Sequence, residues 1–424
     1  MSTLLIKNGT LVTPESSRPA DILLRDGVVE SVTPCGEGSV TVCADEVYDA
    51  DGCIVCCALA DAHVHFRVPG NPEKEDIASG SAAAAHGGYT SVCAMPNLTP
   101  APDSVQTIAL EQELIDRDAV IDVHPYATIT MGRKGSELVD MESLKGACVA
   151  FSDDGSGIQK EDVMRAAMTE AARLDCIIAA HCEDNSLLKG GYIHDGRYAA
   201  EHGHRGICSE SEWGQIARDL VLAEQTGCRY HVCHISTKES VDVIRKAKAR
   251  GVKVTCETGP HYLTMTDADL QEEGRFKMNP PLRSFEDRAA LIEGIQDGTI
   301  DMVATDHAPH TAEQKSRGLE HSAMGVVGLE TAFPVLYTRL VKENVISIEK
   351  LVALMSEAPR RIFGLGGCLE VGKPAELAVF NTKDLYQIDS EDFVSKGKAS
   401  PFEGWAVYGK CVLTIHDGKI VHKA

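Results

Sequence analysis

Between residues 59 and 305 the chain alternates two rhythms, and that alternation limits the possible folds more than any other feature. Short apolar runs at residues 59–66, 89–95, 120–129, 147–154, 176–182, 230–235, 252–256 and 301–305 read as strands. Amphipathic stretches, among them 160–174, 210–226, 240–250 and 285–296, read as helices between them. Strands that alternate with helices pair in parallel, and eight such units over roughly 250 residues are the size of an α/β fold, the (β/α)8 TIM barrel. An open doubly wound sheet is the competing arrangement. No Gly-x-Gly-x-x-Gly follows any of these strands, so a dinucleotide site has no support.

The two ends of the chain read differently. Apolar runs Leu4-Leu5-Ile6 and Ile22-Leu23-Leu24 are followed by Asn8-Gly9 and Asp26-Gly27, both strong hairpin signals. Near the C-terminus, Val412-Leu413-Thr414-Ile415 and Ile420-Val421 flank Asp417-Gly418 in the same way. Neither end alone carries enough strand to bury a sheet face. The expected layout is one small β-sandwich-like domain built from residues 1–52 and 367–424, with a metal-dependent barrel at 53–366.

A formal charge of −22 excludes nucleic acid and anionic membranes as partners, since both require a basic footprint. The 15 cysteines are scattered and mostly embedded in apolar runs, as free thiols are in a reducing cytoplasm. Cys53 and Cys56 form a C-x-x-C without the second pair a zinc knuckle needs. The N-terminus has no basic lead or long apolar segment, and no run is long enough for a membrane span, so a cytoplasmic location is expected.

Barrel enzymes carry their chemistry at the C-terminal ends of strands. Here five ends carry metal-type ligands: His63-Val64-His65, Ser152-Asp153-Asp154, His181-Cys182-Glu183, Cys233-His234 and Thr305-Asp306-His307. Side chains two apart on a strand share a face, so His63 and His65 point together. Four His and two Asp exceed the needs of one tetrahedral ion, and suit two ions about 3.5–4 Å apart that share a carboxylate. The residues alone leave Asp153 and Asp154 as rivals for that shared position, and leave Glu183 without a role. A second His-x-His, His202 and His204, falls in a Gly-containing stretch and reads as surface loop. His261 reads as a structural histidine on a strand, and His307 as facing away from the site.

Taken together, His63-x-His65, Ala94-Met95-Pro96-Asn97, Phe151-Ser152-Asp153-Asp154-Gly155, Met278-Asn279-Pro280-Pro281-Leu282-Arg283 and Ala304-Thr305-Asp306-His307-Ala308-Pro309-His310 resemble the class I dihydroorotases of the amidohydrolase superfamily. The resemblance spans nearly the whole chain. It implies reversible hydrolysis of the cyclic amide of (S)-dihydroorotate to N-carbamoyl-L-aspartate, in de novo pyrimidine synthesis, with two zinc ions per chain. It implies His63 and His65 on one metal, His181 and His234 on the other, Asp154 on both, and Asp306 near a metal as general acid/base. It also implies substrate contacts from His65, Arg67, Asn97, Asn279, His310 and the Met324–Gly325 backbone. Homo-oligomerisation and association with aspartate transcarbamoylase are the assembly expectations.

Related hydantoinases and allantoinases share a carboxylated lysine between their metals. Here the fourth strand offers acids and Lys145 precedes it, which favours an Asp-bridged dihydroorotase. Two positions depart from the family pattern: Cys57-Ala58 stands where a Pro-Gly pair is usual, and Val68 where a Glu often follows the arginine. The rival readings are another cyclic-amide hydrolase, and a non-catalytic dihydroorotase-like subunit. The latter loses metal ligands; this chain keeps all six.

Overall fold

The computed structural model describes residues 2–35, 44–367 and 369–424. In the middle of the chain, parallel pairing runs from strand to strand and returns to its start. Leu59–Val64 pairs with Tyr89–Ala94, which pairs with Asp122–Pro125. Ala127 then bridges Phe151, and Phe151 bridges Ile178 of the strand Ile177–Ala180. That strand pairs with Arg229–Val232, which pairs with Val254–Thr258, which pairs with Met302–Val303. His307 closes the circuit by bridging back to Val64.

Helices fill the expected gaps: Glu161–Leu174, Glu210–Thr226, Lys238–Ala249 and Phe285–Asp297. The first buries Met164, Ala167, Met168 and Ala171, the spacing of one helical face turned to the strands. The last starts on a capping box, with Ser284 accepting from the Asp287 amide, and stops at Gly298 in the left-handed region.

Some expected strands are shorter. Residues 120–129 yield only Asp122–Pro125, and 147–154 form no continuous strand but isolated bridges at Phe151, flanked by single backbone bonds such as Val149 N–H to the Pro125 carbonyl. The cause is Asp153, whose Oδ1 accepts the Ile129 and Thr130 amides at 2.8 and 3.1 Å. A side chain there takes the place of ladder bonds. The seventh strand runs on past Cys256 to Thr258, which brings Glu257 into it.

Strands from both ends form one sheet, ordered Lys419–Lys423, Lys410–His416, Leu377–Asn381, Cys53–Cys57, Thr3–Val12, Ser17–Arg25 and Val28–Pro34, with Glu46–Asp49 also beside Thr3–Val12. The boundary expected at residue 52 therefore falls short, because Cys53–Cys57 is a strand of this sheet. Its two faces serve two cores. Ile54 and Cys56 pack with the residues of the central circuit, while Cys53 and Val55 pack in the terminal sheet. The C-x-x-C thus splits between cores, and the described cysteines are all free.

Asp26-Gly27 and Asp417-Gly418 turn hairpins, with positive φ at both residues of each pair. Asn8-Gly9 does not. It is a bulge inside Thr3–Val12, where a Cβ on Gly9 would stand 2.7 Å from Val55 Cγ2. Among the described residues, no helix is long and apolar enough to cross a membrane.

Candidate active site

The C-terminal strand ends converge on Asp154. Its Oδ1 stands 3.5 Å from His63 Nε2, 3.6 Å from His234 Nε2 and 3.8 Å from His181 Nδ1. Its Oδ2 stands 3.6 Å from His65 Nε2. Asp306 Oδ1 lies 3.0 Å from His65 Nε2 and 3.5 Å from His63 Nε2. His181 Nδ1 and His234 Nε2 face each other at 3.0 Å. All six side chains are buried.

This donor set fits metal ions. Atoms about 2.0–2.1 Å from a tetrahedral ion stand roughly 3.3–3.4 Å from one another, close to the separations around Asp154. His63 Nε2 and Asp154 Oδ1 are buried with no hydrogen-bond partner, which is costly unless a ligand satisfies them. Two groups able to hold an ion result, His63–His65–Asp154 and Asp154–His181–His234, with Asp154 in both. In a third group, His63–Cys233–Glu257, Glu257 already engages His63 Nδ1, and burial raises the Cys233 thiol to about 12.

The electrostatics follow the same geometry. Burial alone would raise Asp154, but His63 and His234 outweigh it and hold the carboxyl well below its usual range. Asp306 is lowered in the same way, burial being outweighed by His63 and His65. Three of the ten described non-glycine residues with positive φ lie at this site. His234, Asp306 and Arg67 have φ of 35°, 48° and 63°, left-handed conformations that cost about 1–3 kcal/mol each and cluster at functional sites.

Behind the first residues stands a supporting layer in which Glu257, Asp61 and Glu183 had no role assigned from the sequence. Glu257 Oε1 lies 2.8 Å from His63 Nδ1, and its Oε2 lies 3.2 Å from His231 Nε2. The imidazoles outweigh burial and lower Glu257 to about 2. Asp61 accepts the His63 amide at 3.0 Å and the Thr305 amide at 3.1 Å, tying the first strand to the last. Asn97 Oδ1 lies 2.9 Å from His65 Nδ1. Glu183 Oε1 accepts from Asn279 Nδ2 at 3.0 Å, and its Oε2 is 3.7 Å from His181 Nε2. Glu257 was detectable as a lone acid in an apolar strand; ending that strand at Cys256 hid it.

A cleft of about 220 Å³ opens onto this centre. His65, Arg67, Asn97, Asn279, His310, Met324 and Gly325 all line it. It is smaller than the roughly 300–1,000 Å³ of pockets for drug-sized ligands, and suits a single small ring. Arg67 is buried, which lowers its guanidinium to about 10 and leaves it cationic at neutral pH. Its Nε donates to the Pro309 carbonyl at 3.3 Å, and His310 Nε2 lies 2.7 Å from the Met324 carbonyl. A wider depression of about 820 Å³ along the 161–174 helix is open surface without this chemistry.

The remaining singled-out residues lie elsewhere. Lys145 is exposed and lines a separate depression with Cys148 and Arg229. Asp153 is spent on the Ile129 and Thr130 amides. His261 sits in the short helix Pro260–Thr264 and not on a strand, because the chain turns at Gly259-Pro260. His307 is buried, and its Nδ1 accepts the Gly328 amide at 3.2 Å. His202 ends the helix Arg197–His202 instead of lying in a loop, stacked on Tyr198 with ring centroids 4.1 Å apart. His204 Nδ1 lies 2.7 Å from the Tyr192 hydroxyl, and its Nε2 lies 2.8 Å from Glu272.

Known proteins resemble this chain in sequence and in fold. A family model described as "Dihydro-orotase-like" matches residues 52–240. A dihydroorotase from Bacillus cereus (strain B4264) is 47% identical over 420 residues, covering 98% of this chain and 97% of that protein. One from Bacillus thuringiensis (strain Al Hakam) is equally similar, at 47% over the same share of each chain. Among solved structures, L-hydantoinase (dihydropyrimidinase) from Arthrobacter aurescens superposes with a TM-score of 0.87 at 27% identity, covering 100% of this chain and 96% of the other. Dihydropyrimidinase from Brevibacillus agri NCHU1002 has a TM-score of 0.85 at 22% identity, covering 99% and 95%, and is similar in fold.

Proposed function

Since the chain belongs to the dihydroorotase family of cyclic amidohydrolases, we propose that this cleft interconverts (S)-dihydroorotate and N-carbamoyl-L-aspartate in pyrimidine synthesis, with two zinc ions held by the six convergent side chains. His63 and His65 hold one ion, His181 and His234 the other, and Asp154 both; Asp306 stands beside the first. The supporting observation is Asp154 Oδ1, unpartnered and within 3.5 to 3.8 Å of three imidazoles. The returning circuit of parallel pairs is read as a (β/α)8 barrel, and the sheet from both termini, through Cys57, as the small sandwich-like domain.

When bound, the ions supply Lewis-acid polarisation of the scissile carbonyl and lower the pKa of water. The rest falls to the chain. Asp306, deprotonated at neutral pH, takes the proton of the attacking water and returns it to the leaving ring nitrogen. Arg67 binds the substrate carboxylate as a charged donor, with Asn97 and His310 beside it. Asn279 and the backbone of Met324 and Gly325 meet the ring edge. Reversibility makes the same groups close the ring.

The test compares turnover of dihydroorotate, hydantoin and allantoin by the purified protein. Dihydroorotate is expected to have the highest kcat/KM; faster turnover of either other ring contradicts the reading and favours the hydantoinase-like alternative, whose fold is shared. Loss of turnover on all three points to a non-catalytic subunit. A cytoplasmic homo-oligomer, associating with aspartate transcarbamoylase, completes the proposal. Size-exclusion chromatography of the protein alone and mixed with that enzyme tests the assembly.

A further inference from the structure

Asn279 lines the cleft with an amide whose two ends have different fates. Its Nδ2 donates to Glu183 Oε1 at 3.0 Å. Its Oδ1 is buried and has no partner. A carboxylate only accepts, so whichever amide atom faces Glu183 must be the nitrogen. The oxygen is thereby fixed on the other branch. A buried acceptor left unpaired costs free energy that a ligand donor recovers.

We propose that Glu183 is a positioning residue for specificity: by pinning the Asn279 amide nitrogen, it makes Asn279 an obligate acceptor that selects substrates carrying a ring N–H at that edge. This rests on the reading that the cleft binds dihydroorotate, whose ring offers two N–H groups. A neutral glutamine at 183 removes the lock. Its amide can donate to Asn279 Oδ1 as readily as accept from Nδ2, so Asn279 can present either end to the substrate.

The test is a protein–ligand cycle on the metal-loaded enzyme, using dihydroorotate and its N1-methyl and N3-methyl derivatives. On the wild type, methylating the nitrogen that Asn279 reads is expected to lower kcat/KM by roughly ten-fold or more, the worth of a hydrogen bond to a buried acceptor. In Glu183→Gln that penalty is expected to shrink several-fold. KM for dihydroorotate itself rises while kcat and zinc content change little. Asn279→Leu, which removes the acceptor at similar size, is expected to abolish the penalty, and serves if the glutamine variant does not fold. Equal penalties in the wild type and either variant overturn the proposal. So does a kcat loss in Glu183→Gln with KM unchanged, which would make Glu183 merely a support for His181. A wild type inactive on dihydroorotate removes the functional reading and the proposal together; an active wild type with unchanged penalties removes only the proposal.

Discussion

Glu257 Oε1 stands 2.8 Å from His63 Nδ1, both side chains fully enclosed. A carboxylate there holds the proton on Nδ1 and leaves Nε2, the nitrogen facing Asp154, free to ligate. Such supporting partners are worth 10–100-fold in metal affinity. Glu257→Gln is expected to weaken zinc binding by roughly that factor while the fold stays intact. Chelator competition followed by circular dichroism checks it; unchanged affinity would make Glu257 a structural acid only.

Arg67 is the buried cation of the cleft, beside His310. Replacing it with Met keeps the length and removes the charge-assisted donor. A hydrogen bond to a charged group is worth about 1.5–3 kcal/mol, so kcat/KM for dihydroorotate is expected to fall roughly ten- to hundred-fold. Zinc content stays at the wild-type value. Steady-state kinetics with metal analysis would show a fall smaller than two-fold if Arg67 does not meet substrate.

His310 carries a pH signature. Burial, then the neighbouring Arg67 charge, lowers it from 6.5 to about 3. As pH falls through 6.5 the unfolded chain takes a proton there and the folded chain does not, so stability drops between about pH 6.5 and 3. His310→Gln removes that term. Denaturant unfolding at pH 7 and pH 4.5 is expected to show a smaller acid loss for the variant than for the wild type. Identical losses would mean that His310 protonates freely in the folded state.

Much of this was legible because strand ends carry their chemistry in sequence order. The period of two that turns His63 and His65 the same way is matched by their common approach to Asp154, although His65 lies just past the strand, and Glu210–Thr226 appeared at its observed limits from apolar spacing alone. What stayed hidden depends on distant partners. The pairing around Phe151 ends at Ser152, where Asp153 captures amides two dozen residues upstream. Asn8-Gly9 reads as a turn until Val55 comes against Gly9 and makes it a bulge. Cys53–Cys57 looks like the approach to the first strand, yet each of its faces is claimed by a different core. Glu257 and Glu183 acquire roles only when His63 and Asn279 arrive beside them.

Asp154→Asn, assayed for bound zinc by elemental analysis alongside dihydroorotate turnover, decides whether one carboxylate joins two metal positions. The wild type is expected to hold two zinc ions per chain, and the variant to lose metal and nearly all activity while remaining folded. A variant that keeps both ions and wild-type turnover would contradict the account.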